Sequence, residues 1–368
     1  MKKKLLSVLL GTAMVATLAA GCGGEKAADD GAAKNDGAAK GDMHFEIVSK
    51  GFQHAYWQAV LKGAEKKADE LGVTINFVGP NTESDVADQV QMLNNAVNAS
   101  PNAIGLAALS TDALTDAIIT AQSAGIPIVG FDSGVPGAPE GSIVANAATD
   151  NYAAGEMAAE KTYEVLKDRI ANASAPVRIG VLSQDATSES IVQRGLGFID
   201  KMAELVEADG KKATVEGHDK FISDSKTGKV DGADVIIDVK VPSQVDASLS
   251  KTDCETLLNQ KDIIAIYGSN QHSGEAMVSA NETLQKFGKG EDQVVGAAFD
   301  SGKVIMGAVK NETFIGAITQ APVAMGEKIV ELLYASANGE AVEDVDTGCQ
   351  WYTSENMDSE EIAQNLYE

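Results

Sequence analysis

From Met43 onward, short apolar β-rich runs, most of them continuous, alternate with longer stretches in which apolar positions recur every three or four residues. The runs fall at 45–49, 74–79, 103–109, 127–132 and 143–146, then at 178–183, 234–241, 263–269, 294–300 and 314–320. Strands that are apolar throughout, instead of alternating, are covered on both faces, as in a parallel sheet flanked by helices. The periodic stretches predict helices over 56–71, 85–99, 111–124, 151–171, 188–209, 273–287 and 322–337. Gly72, Gly125 and Gly288 each follow a helical stretch and precede an apolar run, the punctuation of βαβ units. Residues 43–368 exceed what one hydrophobic core usually supports. Two sets of about five strands therefore predict two α/β, Rossmann-like lobes with parallel sheets.

In open sheets of this kind, ligands bind beyond the carboxyl ends of the strands. The positions to inspect are 50–57, 110–112, 132–133, 148–151, 183–187, 269–272, 300–301 and 320, where polar and aromatic residues concentrate. His54, Tyr56 and Trp57 stand between the first strand and its helix. Neighbours on a helix diverge by about 100°, so Tyr56 and Trp57 are not expected to enter a helix-sheet core together. One should face the cleft, where an aromatic plane can stack on the C–H face of a polyhydroxylated ring.

Val129-Gly130-Phe131-Asp132-Ser133 and Ala297-Ala298-Phe299-Asp300-Ser301 form an internal echo, one in each lobe. A strand-end aspartate can accept hydrogen bonds from vicinal hydroxyls, or it can cap a helix. Asp132, Ser133 and Asp300 are thus ligand candidates with a structural alternative. Arg194, on a helix after the 178–183 strand, offers fixed donors to ring and hydroxyl oxygens, or a surface ion pair. Asn270 and Gln320 follow apolar strands, and an amide both donates and accepts.

Composition narrows the classes. No nucleophile-base arrangement or phosphate loop stands out: Gly195-Leu196-Gly197 lacks the third glycine of a dinucleotide loop, and Gly130 to Gly134 lacks a central serine. Catalysis and a cofactor are not expected. His54 and His272 could meet across a cleft at a metal, but show no short ligand spacing; His44 and His218 read as surface residues. The net charge of −25 becomes −28 once Lys2, Lys3 and Lys4 are removed, which disfavours nucleic acid as a partner. Cys254 and Cys349 could pair or remain buried and reduced.

Those lysines open a basic start followed by an apolar segment over 5–20 and Gly21-Cys22, an export signal over 1–21. Leu18-Ala19-Ala20-Gly21-Cys22 resembles the cleavage and lipidation site of bacterial lipoproteins, with Ala19 where leucine is usual. Residues 23–42 contain only Gly, Ala, Lys, Asp, Glu and Asn, so 22–42 reads as a flexible tether of roughly 25 Å reach. The expected location is extracytoplasmic, on the outer face of the cell membrane, through a lipid on Cys22.

The order of Tyr56-Trp57, Phe131-Asp132, Thr149-Asp150-Asn151, Arg194-Gly195-Leu196-Gly197-Phe198, Gly268-Ser269-Asn270, Phe299-Asp300 and Ile318-Thr319-Gln320 resembles the ribose/galactose-type substrate-binding proteins of bacterial ABC importers. The resemblance implies the type I periplasmic-binding-protein fold: lobes of 43–149 plus 321–346 and 150–320 plus 347–368, joined by a three-strand hinge near 148–150, 320–321 and 346–347. It assigns ligand contact to His54, Tyr56, Trp57, Asp132, Arg194, Asn270, Phe299, Asp300 and Gln320, the last able to couple ligand to hinge. It implies a monomer that closes on a monosaccharide or related polyol and delivers it to ABC permease subunits. A sensor that presents its ligand to a membrane receptor or kinase is the alternative. Ribose binders carry arginine where Ser133 stands and asparagine where His54 stands, which leaves open another pentose, a hexose, an inositol-like polyol or a furanosyl signal molecule. Residues 217–249 are longer than in short ribose binders.

Overall fold

The computed structural model describes residues 43–52 and 54–368; the export segment, Cys22 and the tether lie outside the described residues. In chain order β1 (His44–Val48), α1 (Ala55–Leu71), β2 (Thr74–Val78), α2 (Val86–Asn98), β3 (Ala103–Leu106), α3 (Thr115–Ser123), β4 (Ile128–Phe131) and β5 (Ile143–Ala148) come first. Then follow α4 (Asn151–Asn172), β6 (Val177–Leu182), α5 (Glu189–Ala208), β7 (Ala213–Gly217), α6 (Asp219–Asp224), β8 (Val235–Lys240) and α7 (Ala247–Leu258). The same sheet continues with β9 (Ile263–Gly268), α8 (Gln271–Leu284), β10 (Val295–Phe299), α9 (Lys303–Lys310) and β11 (Gly316–Gln320). Last are α10 (Pro322–Ala337), β12 (Val345–Asp346), β13 (Cys349–Tyr352) and α11 (Glu360–Ala363).

The strands form a six-stranded sheet, β12-β5-β4-β3-β1-β2, and a seven-stranded sheet, β13-β11-β10-β9-β6-β8-β7. Each is the framework of one lobe. Strand pairing is parallel throughout the described residues except at β13, which runs antiparallel to β11. Where an apolar run is continuous, successive residues enter different cores. In β1, Phe45 and Ile47 join the core that contains Val60 and Ala64 of α1 and Ile329 of α10, while Val48 joins the core of Leu93 and Ile118. In β10, Val295, Ala297 and Phe299 pack with α4 and α5, and Ala298 packs with α8 and α9.

The chain passes from one sheet to the other after β5, after β11 and after β12. α4 already packs on α5 of the second lobe, whereas α10 returns to α1, β3, β4 and β5 of the first. The three passages lie together, the Thr149 hydroxyl reaching both Gln320 and Gly348.

Several boundaries differ from the expected ones. The 111–124 helix begins only at Thr115, because residues 111–114 form a turn in which the Thr115 hydroxyl donates to the Asp112 carbonyl. The 273–287 helix is shifted to α8: Asn270 caps its start through the Ser273 amide, and Gln285 ends it with φ 50°. The 103–109 strand stops at Leu106, after which the Gln89 side chain takes over, bonded to Ser49 O, Ala107 O and the Leu109 amide. That buried amide fixes the exits of β1 and β3 side by side. β7, β13, α6, α7, α9 and α11 lie outside the expected runs and helical stretches, and β12 stands at the expected third hinge segment. Within 217–249 lie α6 and β8, with β8 inserted between β6 and β7. Cys254 and Cys349 are separate free thiols.

Candidate functional site

Both sheets change strand direction of progression at their first strand, β1 between β2 and β3 and β6 between β8 and β9, and the carboxyl ends of these strands face each other. Between them lies a tight cavity lined by Lys50, His54, Tyr56, Trp57, Glu83, Asp132, Ile191, Arg194, Asn270, Gln271, Asp300 and Gln320. This is the crevice that open α/β sheets use for ligands. Its lining is polar and charged, with Tyr56 and Trp57 among it.

Asp132 and Asp300 occupy equivalent places, one residue beyond β4 and β10, and both have positive φ, 57° and 71°. Non-glycine residues bear a cost there, so the surrounding structure must hold them. Neither caps a helix that follows its own strand. Asp132 Oδ1 accepts from the Tyr56 hydroxyl at 2.8 Å; Oδ2 forms an ion pair with Lys50 Nζ at 3.4 Å and, though buried, has no hydrogen-bond donor. Asp300 Oδ2 accepts from the Gln271 amide at 2.9 Å and Oδ1 from Gln320 Nε2 at 2.6 Å.

Arg194 is clamped on three sides. Its Nε donates to Asn151 Oδ1 at 2.8 Å, Nη1 lies 3.6 Å from Asp300 Oδ2, and the guanidinium carbon sits 3.9 Å above the Phe299 ring. A guanidinium fixed this way presents its remaining donors without loss of rotamer entropy on binding. Burial opposes the charge on Arg194, yet Asp300 and then Asp132 outweigh it and raise its pKa.

Lys50, which falls within a strand-end window but was not singled out, is 3% exposed. It donates to Ser188 Oγ and Ser190 Oγ of the other lobe at 3.0 and 3.3 Å. Burial would favour loss of its proton; Asp132, Glu83 and Asp185 reverse that and keep it charged. Glu83, between β2 and α2, gave no sequence signal. It accepts from Trp57 Nε1 at 2.8 Å and from Gln184 Nε2 at 2.9 Å. Burial pushes its carboxyl up, but Lys50, His54 and these two donors prevail and hold its pKa at about 2.

The structure brings together His54, Tyr56, Trp57, Asp132, Arg194, Asn270, Asp300 and Gln320. Two candidates stand behind this lining. Phe299 supports Arg194 from below, and Ser133 Oγ sits 3.2 Å from Ser188 Oγ and accepts from the Ser190 amide, in the contact between lobes. The expectation that Tyr56 and Trp57 would not enter the core together is corrected: both belong to the first-lobe core, at 5% and 1% exposure, while bordering the cavity. They reach both because they lie in the first turn of α1, where the core ends and the cavity begins, and meet edge to face at 4.9 Å. His272 donates to or accepts from Ser250 Oγ at 2.8 Å, and no cluster of metal-ligating side chains exists among the described residues. His218 caps α6, its Nδ1 accepting from the Lys220 amide.

A two-lobed α/β fold with a polar cavity at facing strand ends defines a class of ligand-binding proteins. Residues 45–341 match the model of the periplasmic binding protein domain, and the chain belongs to that family. The ribose import binding protein of Bacillus subtilis (strain 168) is 23% identical over 291 residues, 78% of this chain and 79% of the relative. A solved structure from Brachyspira murdochii, described as an ABC transporter, LacI family transcriptional regulator, is 33% identical with a TM-score of 0.75, covering 90% of this chain and 100% of that one. An ABC transporter solute binding protein from Agrobacterium vitis, solved with bound D-fucose, is 30% identical with a TM-score of 0.71, covering 88% and 100%.

Proposed function

We propose that this protein captures a monosaccharide or closely related polyol between its lobes and delivers it to the permease of an ABC importer, without changing it chemically. The observation that carries this reading is Asp132 Oδ2, a buried carboxylate oxygen on the cavity wall with no hydrogen-bond donor. Leaving such an acceptor unsatisfied costs about 1–3 kcal/mol or more, which a ligand hydroxyl would recover. Two cations, Lys50 and Arg194, meet three carboxylates, Glu83, Asp132 and Asp300, so the wall has no excess positive charge to recruit an anionic ligand. Tyr56 and Trp57 supply apolar faces for ring carbons, and the relatives named for ribose import or solved with D-fucose bind this class of compound.

Binding sets from two lobes imply a hinge: a ligand touching both is better held when they are together, so it shifts the equilibrium toward closure. The lobes that close are 43–149 with 321–346 and 150–320 with 347–368. A lipid on Cys22 and the 22–42 tether would keep a monomer near the permease on the outer face of the membrane. Calorimetry against pentoses, hexoses, inositols and amino acids is the test. A monosaccharide or polyol should bind in the micromolar range or tighter; heat from amino acids alone would refute the ligand class.

A further inference from the structure

Immediately outside the cavity lies an open groove, with Val86 and Leu109 on the first lobe and Val241, Pro242 and Val245 on the second. Cavity and groove share Glu83. They are separated by a chain of hydrogen bonds that crosses from lobe to lobe. Trp57 Nε1 donates to Glu83 Oε1 at 2.8 Å, Gln184 Nε2 donates to Glu83 Oε2 at 2.9 Å, and Asn270 Nδ2 donates to Gln184 Oε1 at 2.6 Å. The far end is fixed by the Ser273 amide, which donates to Asn270 Oδ1 at 3.0 Å.

Glu83 and Gln184 are 7% and 1% exposed, so water does not replace a partner that is pulled away. A substituent pushed through this wall would leave a buried carboxylate short of a donor, which is among the costlier losses a protein can suffer. The wall is therefore selective by energy as well as by shape. The groove behind it is roomy, and part of it is built by the 217–249 stretch and the residues next to it, but the clasp closes it off from the cavity.

Resting on the monosaccharide reading above, we propose that the Glu83–Gln184 pair is a specificity clasp. It seals the outer end of the cavity around one unsubstituted ring and rejects sugars that carry a second ring or another bulky group on that edge. With the clasp broken, such a group would extend into the groove.

The test uses whichever monosaccharide or polyol binds best in the calorimetric panel, together with its mono-O-benzyl derivatives, one for each hydroxyl. Affinities are compared for the wild type, Gln184→Ala and Glu83→Ala, with thermal unfolding as the check on folding. The Gln184→Ala protein should hold the parent sugar about tenfold more weakly, having lost a bond to a charged group. It should hold at least one benzyl derivative tenfold or more tightly than the wild type does. Should the alanine variants not fold, Gln184→Asn withdraws the same amide by one methylene and allows the same comparison. Derivative-to-parent ratios that are the same in the wild type and the variants would overturn the clasp while leaving the sugar reading intact. Failure of every monosaccharide and polyol to bind the wild type would remove both.

Discussion

Asp132 is bonded through one carboxylate oxygen and open through the other, so a conservative change separates its roles. Asp132→Asn keeps the size and an oxygen for Tyr56 but removes the charge that faces Lys50 and the ligand hydroxyl. Affinity for the bound sugar should fall by about 2 kcal/mol, near thirtyfold, and the melting temperature should fall as well, because buried Lys50 loses its nearest carboxylate; calorimetry and thermal unfolding check the two halves. Glu83 makes a pH prediction. Its pKa is lowered from 4.5 to about 2 in the folded protein, so the stability it contributes is present above pH 4.5 and is lost as pH falls toward 2. The difference in unfolding free energy between wild type and Glu83→Gln should shrink by about 3 kcal/mol across that interval. A difference that stays constant with pH would show that the carboxylate is not held as described. Asp132 was legible in the sequence because a polar residue at the end of an apolar run is visible without knowing the fold. Glu83 and Gln184 were not, since their meaning arises only when loops about a hundred residues apart meet across the cleft.

At the scale of elements, the runs that were read correctly are those buried on both faces, such as β9 and β10, where no polar residue interrupts the pattern. β7 and β13 escaped because an edge strand need bury only part of its length: Glu216 and Gly217 end β7 outside the core, and β13 is four residues long. The glycines around Arg194 had a meaning that spacing alone did not reveal. α4 and α5 cross so closely that a Cβ on Gly155 would lie 2.3 Å from Arg194 O, and one on Gly197 would lie 2.1 Å from Tyr152 O. These are backbone atoms and cannot swing aside. Gly155→Ala must therefore part the two helices and carry Arg194 away from Asn151 and Asp300. Chemical denaturation should show a loss of about 1–3 kcal/mol, and sugar affinity should fall with it. Gly307 on α9 has open space where a Cβ would go. Gly307→Ala should be neutral or add up to about 1 kcal/mol, with unchanged affinity. Equal effects of the two substitutions would mean that the α4–α5 crossing does not position the arginine.

Across the whole molecule, the cavity is joined to all three passages between the lobes by one side chain. The Thr149 hydroxyl, in the first passage, lies 3.1 Å from Gln320 Oε1 at the second and 3.2 Å from Gly348 O at the third. Gln320 in turn donates to Asp300 on the cavity wall, so a shift of Asp300 toward a ligand pulls on the point where the passages meet. Asp346 Oδ1 adds to this knot by accepting from the amides of Asp150 and Gly348. Thr149 does not line the cavity, which allows binding and lobe movement to be separated experimentally. Thr149→Val keeps the shape and removes the hydroxyl. If the bond is made only when the lobes are together, its loss should disfavour closure by about 1 kcal/mol, near fivefold in apparent affinity. Small-angle scattering should then need more sugar to reach the compact form, while the radius of gyration at saturation stays the same. A variant whose affinity falls without any change in that titration would mean that the hydroxyl acts on Gln320 alone. An unchanged affinity would mean that the three passages bend with the Thr149 bonds intact in both positions of the lobes, and that Asp300 and Gln320 hold the sugar without steering the hinge.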